Sequence, residues 1–300
     1  VPFVAKAGIQ QAGSVSFTNH LATTSGTTQL GCNIEGNVSY LNINEHEYSG
    51  ASGMGKSTVQ LFIDKGWFVG CYDINKNNLN TLEEEINSEN LICRELDVSN
   101  KDMFEKAVKE FSNISNNRLD ILFNNAGIAE GGFFEVQPYE NHLRVVNINL
   151  FGVINGIYSA IDLLKNTDNS LCLNTSSSTG IIGLPMTSVY SASKHAVKGL
   201  TESLSAEFKR FGIKVSDILP GVIDTPLISQ DIRSTLPSDG MWRLIPAEEI
   251  AKTVYRAYEE DKIHWYVPED LEDLEKLVVE DPVKARDEVI STGPMKIPLD

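Results

Sequence analysis

At 300 residues the chain is long enough for one large α/β domain with a sizeable core, or for two small domains. Hydrophobic residues at 41% and charged residues at 22% are ordinary globular composition, while a formal net charge of −16 argues against a nucleic acid or an anionic membrane surface as partner. No run of 18 apolar residues marks a membrane span, and the start of the chain lacks the charged and apolar regions of a signal peptide.

Residues 1–49 stand apart. Their only charged residues are Lys6, Glu35, Glu45 and Glu47, and they are rich in Gly, Ser, Thr, Asn and Gln. The one credible strand there lies at about 38–43. Val1 opens the chain and the first methionine is Met54, so 1–49 reads as an atypical polar extension, processed, fragmentary or fused, ahead of a domain at 50–300. The four cysteines, Cys32, Cys71, Cys93 and Cys172, form no Cys-x-x-Cys pair. Three fall in expected strands, which suits buried free thiols in a reducing cytoplasm.

From Gly50 the pattern becomes regular. The periodicity predicts a helix at 55–65, a strand at 67–73 (WFVGCYD), a helix at 76–88 and a strand at 91–97. A helix at 101–112 and a strand at 119–124 follow, then a long helical region at 138–165 and a strand at 171–176. A helix at 188–210, with Ser188 or Ser191 available as cap, leads to a strand at 213–219, a Pro-Gly break and an irregular segment at 226–245. A helix at 246–260, a strand at 263–267 and a short helical tail complete the chain. Residues 259–300 hold thirteen acids against five bases and read as a solvated acidic surface. Strands alternating with helices of this length imply a doubly wound parallel sheet covered on both faces, with ligands at the carboxyl ends of its strands.

Within that frame, residues 49–58 read SGASGMGKST. Gly50, followed by four residues and then Gly55-Lys56-Ser57, is a formal phosphate-loop match. The competing mechanism is a dinucleotide loop, in which Gly50, Ser52, Gly53, Met54 and Gly55 bring backbone close to a pyrophosphate at a helix N-terminus. Context favours the second. A dinucleotide loop needs an acid about 20 residues on to bond the adenosine ribose, and Asp73 ends the next strand. That carboxylate would repel a 2′-phosphate, and no Arg or Lys immediately follows it, so NAD is expected rather than NADP.

Residues 171–199 read LCLNTSSSTGIIGLPMTSVYSASKHAVKG, a strand, a serine-rich loop and a helix start. Tyr190 and Lys194, four apart, share one helix face. A phenol beside an ammonium has its ionised form stabilised and its pKa lowered, which makes a proton-transfer device, and Ser177 can bring a hydroxyl to the same point. The spacing is not unique: Tyr72 with Lys76 and Tyr258 with Lys262 also fit it. The five histidines show no ligand spacing, His195 reads as a helix-surface residue, and no metal is expected.

Taken together and in order, the motifs from Gly50 to about Val267 resemble the short-chain dehydrogenase/reductase family. The glycine loop and Asp73 match its cofactor loop and NAD-selecting acid, although Gly50 and Gly53 are separated only by Ala51 and Ser52 and the residues leading into the loop are polar. Asp97-Val98 is similar to the family's adenine-contacting pair. Asn124-Asn125-Ala126-Gly127 matches the strand end that borders the cofactor. Asn149 in NINLFG matches the catalytic asparagine, and Ser177 stands thirteen residues before Tyr190 in YSASK. Pro220-Gly221-Val222-Ile223-Asp224-Thr225 matches the Pro-Gly turn, where Ile223 and Thr225 would contact the nicotinamide carboxamide.

The resemblance implies a Rossmann-type domain and an NAD(H)-dependent oxidoreductase that interconverts a secondary alcohol and a ketone. Ionised Tyr190 would take the alcohol proton, Lys194 would depress its pKa and bond the nicotinamide ribose, Ser177 would hold the substrate oxygen, and Asn149 would anchor a proton-carrying water. It also implies a homodimer or homotetramer built through the helices at 138–165 and 188–210. The substrate pocket is expected to include residues 181–186, those after Gly127 and the segment 226–245, where Ile181, Leu184, Pro185, Met186, Leu227 and Trp242 are mostly apolar and suit a small hydrophobic alcohol or ketone. Two other readings remain: a non-catalytic or cofactor-deficient relative, and a phosphate-loop nucleotide hydrolase.

Overall fold

The computed structural model describes residues 3–5, 16–17, 28–29, 39–44, 51–225, 228 and 230–294. In chain order, β1 (Ser39–Asn44) precedes α1 (Gly53–Asp64), β2 (Phe68–Asp73), α2 (Lys76–Ile86), β3 (Leu91–Glu95), α3 (Lys101–Ile114) and β4 (Ile121–Asn124). Next come α4 (Tyr139–Val146), a π-helical turn at Asn147–Phe151, α5 (Gly152–Lys165), β5 (Leu171–Thr175), α6 (Ser188–Glu207) and β6 (Lys214–Pro220). The remainder is β7 (Val222–Asp224), α7 (Gln230–Thr235), β8 (Leu244–Pro246), α8 (Ala247–Glu259), β9 (His264–Val267), α9 (Leu271–Glu280) and α10 (Pro282–Thr292).

Seven parallel strands of the main sheet lie in the order β3-β2-β1-β4-β5-β6-β9. This is the doubly wound arrangement expected. β5 is buried along its whole length and β2 along all but its first residue, as strands covered on both faces must be. On one face α3, α5 and α6 contribute Phe104, Phe111, Val153, Ile157 and Val197 to the core; on the other α1, α2 and α8 contribute Val59, Phe62, Leu79, Leu82, Ile250 and Val254. Trp67, just before β2, meets Phe62, Tyr255 and Tyr258 with ring centroids 4.5 to 6.0 Å apart, joining α1 to α8.

The polar stretch before the glycine loop supplies the central strand. β1 pairs with β2 from Ser39↔Phe68 to Asn44↔Asp73 and with β4 from Tyr40↔Ile121 to Asn42↔Phe123. Both ladders of the sheet's middle are therefore satisfied by an SYLNIN segment that shows no apolar run.

Three expectations are corrected. The helix at 188–210 is capped at Thr187, which makes no side-chain cap bond. Ser188 already lies inside the helix, and the Ser191 hydroxyl accepts instead from the Leu184 N–H at 3.3 Å. The segment 226–245 is not wholly irregular: β8, beginning at Leu244, pairs in parallel with β7, and α7 lies between them. The acidic tail is more than solvated surface. Its helices bury Leu271, Leu274, Ala285 and Val289, with Leu271, Leu274 and Val289 packed among Ile181, Leu184, Leu219 and Trp242.

By length and composition the continuous helix from Tyr139 to Lys165 could cross a membrane. Its buried stripe (Val145, Ile148, Val153, Ile157, Ala160, Leu164) belongs instead to the core over β4 and β5. α5 approaches the sheet closely only because residue 156 is glycine: a Cβ there would run into Asn124 Oδ1 and lie 2.9 Å from Phe104 Cζ. Gly156→Ala is expected to destabilise the fold by about 1–3 kcal/mol through overpacking. Gly199→Ala on the open face of α6, where nothing lies within 4 Å, should instead stabilise by about 0.5–1 kcal/mol. Urea unfolding of both variants checks the contrast.

Candidate active site

After β3 the chain crosses back over β2 and β1 to reach β4, so the strand order reverses between β1 and β4. That switch point opens a crevice at the carboxyl ends of the strands. A cleft lies there. Its floor is the start of α1, with Ser52, Gly53 and Met54 on the lining. Gly53 has φ +50°, a conformation glycine adopts without penalty. The N–H groups of the first turn have no partner within the helix, and no acid occupies that turn. Gly55 is buried inside α1, and Lys56 pairs with Glu85 on α2. Gly50 lies outside the described residues.

Asp73 is fully buried at the end of β2. Its Oδ2 accepts from the Ala51 N–H at 3.2 Å and its Oδ1 from the Asn75 N–H at 2.8 Å, so the acid ties the glycine loop to the sheet. Asp97 and Val98 lie beyond β3, beside the cleft rather than in its lining. Asp97 Oδ1 accepts from the Ser99 N–H at 2.8 Å, and Val98 packs where Gly152 leaves room, since a Cβ on Gly152 would stand 2.8 Å from its Cγ2.

On the opposite wall, Asn125 and Gly127 line the cleft while Ala126 is buried behind them. Gly127 is closely approached: a Cβ would stand 3.3 Å from both Asn149 Oδ1 and Lys194 Nζ, which would have to give by a few tenths of an ångström. Asn149, fully buried, sits in the π-helical turn. Its Oδ1 accepts from the Ile128 N–H at 2.8 Å, and its Nδ2 donates to the Ile128 carbonyl at 2.9 Å and to Ser193 Oγ at 3.1 Å. Ser193 Oγ donates in turn to the Tyr190 carbonyl at 2.6 Å.

Ser177, Tyr190 and Lys194 converge on the same cleft. Lys194 is 3% exposed and its Nζ donates to the Thr175 carbonyl at 2.8 Å. Thr175 Oγ1 donates to Asn125 Oδ1 at 2.9 Å, and Ser176 Oγ donates to the Lys194 carbonyl at 2.9 Å. The Ser177 hydroxyl hydrogen-bonds the half-buried Tyr190 phenol. The remaining wall is the turn after β6, with Pro220, Gly221, Ile223 and Thr225. Gly221 donates its N–H to the Val267 carbonyl at 2.7 Å, and Thr225 Oγ1 is buried with no hydrogen-bond partner among the described residues.

The electrostatics differ from the expectation for Tyr190. Burial pushes the phenol above its ordinary pKa, opposed by the Ser177 hydrogen bond. Lys194 Nζ stands 5.7 Å from the ring centroid, bonded to a carbonyl, and burial lowers its own pKa to about 8. Desolvation therefore outweighs the attraction between phenolate and ammonium that helical spacing suggests.

The two decoy pairs play no part. Tyr72 is buried and donates to the Ala107 carbonyl at 3.3 Å, and Tyr258 donates to Asp120 Oδ1 at 3.2 Å, well away from the cleft lining. The expected substrate wall is met in part. Ile128 and Ala129, just after Gly127, and Ile228, within 226–245, line the cleft, whereas Ile181, Leu184 and Trp242 are core residues under α9. Pro185 and Met186 are half-buried and do not line the cleft, and Leu227 lies outside the described residues. Two participants escape the sequence reading, Thr175 and Ser193. Both stand inside motifs, at the strand end and within YSASK, and only a hydrogen-bond partner marks them out.

A family model described as short chain dehydrogenase matches residues 48–235. The chain belongs to the short-chain dehydrogenase family. A 3-oxoacyl-(acyl-carrier-protein) reductase of Thermotoga maritima is 33% identical over 216 residues, covering 68% of this chain and 85% of the relative. A cyclohexanol dehydrogenase of an Acinetobacter species is 32% identical, over 68% of this chain and 82% of the relative. In the fold, a solved chain described as a short-chain dehydrogenase of Novosphingobium aromaticivorans is similar at TM-score 0.68 and 23% identity, covering 81% of this chain and 86% of that one. As a member of the family the protein is an oxidoreductase of CH–OH groups that uses a nicotinamide cofactor.

The buried lysine predicts a pH limb for this short-chain dehydrogenase. Its ammonium is lost as pH rises through about 8, so turnover at saturating cofactor should decline above that pH. Lys194→Met should lower turnover by roughly 10²–10⁴-fold and abolish the limb, which a pH–rate profile of both proteins checks.

Proposed function

We propose that the enzyme interconverts a secondary alcohol and a ketone with NAD(H), through Ser177, Tyr190 and Lys194. The observation that carries this reading is the meeting of a phenol, a hydroxyl and an ammonium in one cleft at the switch point. The residues present fit a dinucleotide. The open first turn of α1 suits a pyrophosphate, the Thr225 hydroxyl, without a partner among the described residues, suits a polar head, and Gly127 lines the cleft without a side chain. When bound, the nicotinamide supplies or accepts the hydride.

The protein's own groups manage the proton. Because burial keeps Tyr190 protonated at neutral pH, its phenol is set to donate to a carbonyl oxygen that Ser177 also holds, which favours reduction; in the reverse reaction the Tyr190 phenolate takes the alcohol proton. Lys194 holds a positive charge beside that oxygen, and Asn149 fixes the Ile128 backbone that borders the substrate. Asp73 supports NAD over NADP, its carboxylate opposing a 2′-phosphate. The relatives' names include a levodione reductase of Leifsonia aquatica, 31% identical over 200 residues, covering 63% of this chain and 73% of the relative. With Ile128, Ala129 and Ile228 as the apolar wall, a small hydrophobic ketone or alcohol fits here. Buried free thiols at Cys71, Cys93 and Cys172 suit a reducing cytoplasm; Cys32 lies outside the described residues.

Tyr139, Leu143, Phe151, Ile154 and Tyr158 form an exposed apolar stripe along α4 and α5. A second copy of the chain covers it in the proposed homodimer or homotetramer.

Tyr190→Phe should reduce turnover by at least about 10²-fold while leaving NADH binding nearly intact, measured by tryptophan-to-NADH energy transfer. Retained turnover would overturn the assignment. In the same titration NADH should bind at roughly micromolar concentration and ahead of NADPH. An absence of nicotinamide binding would favour a cofactor-deficient relative, and ATP binding alone a phosphate-loop protein. Light scattering should show that Phe151→Glu shifts the oligomer toward monomer.

A further inference from the structure

Arg233, in the last turn of α7, is committed to the chain that precedes it. Its Nη2 donates to the Thr225 carbonyl at 2.7 Å and its Nε to the Ile228 carbonyl at 2.9 Å, while Nη1 pairs with Asp224 at the end of β7. The Thr225 carbonyl also accepts from the Ile228 N–H at 3.1 Å. One guanidinium thus gathers three positions onto one short helix, and each of its three nitrogens is engaged there.

Two of those positions face the cleft, whereas Arg233 lies outside its lining. Thr225 is buried on one wall, and Ile228 supplies part of the apolar wall while packing against the cluster of Ile181, Leu184, Leu219 and Trp242. Behind them is a second hollow, between the start of α1, the end of β7 and the start of α8, lined in part by Lys56, Thr225, Arg233 and Ala247. Thr225 lines both spaces, so the chain there is a partition between two hollows. A side chain bordered by open space has fewer neighbours to hold it than a core residue, and its placement depends on bonds. Of those bonds, the ion pair matters less: the Arg233 and Asp224 side chains are 24% and 48% exposed, and a pair so wetted contributes little. The two bonds to carbonyls are charge-assisted, act on the main chain itself and match the planar fork of a guanidinium, which an ammonium does not reproduce.

We propose that Arg233 is a positioning residue that latches Thr225 and Ile228 to α7, and so sets the cofactor wall and the substrate wall of the cleft together. The proposal rests on the dinucleotide reading of the cleft, in which Thr225 meets the polar head that NADH and NADPH share. Loss of the latch therefore weakens both cofactors equally, whereas Asp73 acts on the difference between them. The catalytic side chains Ser177, Tyr190 and Lys194 stand on β5, α6 and the loop between them, and none of them touches the latch.

Hydrogen exchange and cofactor titration of wild type, Arg233→Met, Arg233→Lys and Asp224→Asn test the latch. In Arg233→Met the Ile228 amide should exchange at least about tenfold faster, with α1, β5 and α6 exchanging as in wild type. Tryptophan-to-nicotinamide energy transfer should show affinity for NADH and NADPH falling alike, by about five- to tenfold. Arg233→Lys should behave like Arg233→Met, because an ammonium cannot span both carbonyls, and Asp224→Asn should lose less than about twofold. Unchanged exchange at Ile228, faster exchange spread through α1, β5 and α6, or undiminished cofactor binding in Arg233→Met would each overturn the latch. Wild-type behaviour of Arg233→Lys would overturn it as well, since charge alone would then suffice. A wild-type protein that binds neither NADH nor NADPH would instead sink the dinucleotide reading, and exchange at Ile228 would still decide whether Arg233 holds the wall.

Discussion

Lys194 Nζ is held at 2.8 Å from the Thr175 carbonyl in a position 3% exposed to solvent. Taking an ammonium out of water costs several kcal/mol unless its donors are met. Here the cost is offset at the end of β5, where the strand stops and its last carbonyl turns toward α6. The tie is reciprocal, because Ser176 Oγ donates to the Lys194 carbonyl, and it is braced by Thr175 Oγ1 on Asn125. Gly180 must lack a side chain for this to happen: a Cβ there would lie 2.5 Å from Ser176 Oγ. Once α6 is fixed in rotation and height by one residue, Tyr190 one turn earlier is delivered to Ser177.

That dependence explains why the site lies where it does. Parallel strands covered on both faces leave only their ends for polar work, and the reversal of order between β1 and β4 opens a crevice there that helix N-termini can face. α1 brings open N–H groups from one side, and α6 brings the phenol and ammonium from the other. Asn149 joins the halves by gripping Ile128 and Ser193, and its π-helical turn lets it point inward without breaking the long helix from Tyr139 to Lys165.

Much of this is legible in the residues themselves, for identifiable reasons. Buried parallel strands are short apolar runs with polar ends, so β2, β3, β5 and β6 fall within a few residues of where their pattern puts them. Closely approached glycines, such as Gly127, sit inside recognisable motifs. Three things are not legible. SYLNIN reads as a strand, but with no apolar run its place inside the parallel sheet shows only in its pairing with β2 and β4. Apolar residues look alike whether they line a cleft or fill a core, so Ile181, Leu184 and Trp242 read as pocket and turn out to be core under α9. A π-helical turn leaves no mark in NINLF.

The sign of the Tyr190 shift is the most instructive of these limits. Helical spacing reports that two side chains share a face; it says nothing about how much water reaches them. With the phenol half-buried and the ammonium committed to a carbonyl, desolvation decides, and each group moves toward its neutral form. The two shifts then act together. A phenol that keeps its proton can give it, and an ammonium that releases its proton near pH 8 stands ready to resupply it. In the proposed reaction the pair would serve as a proton store, which a permanently ionised tyrosine would not.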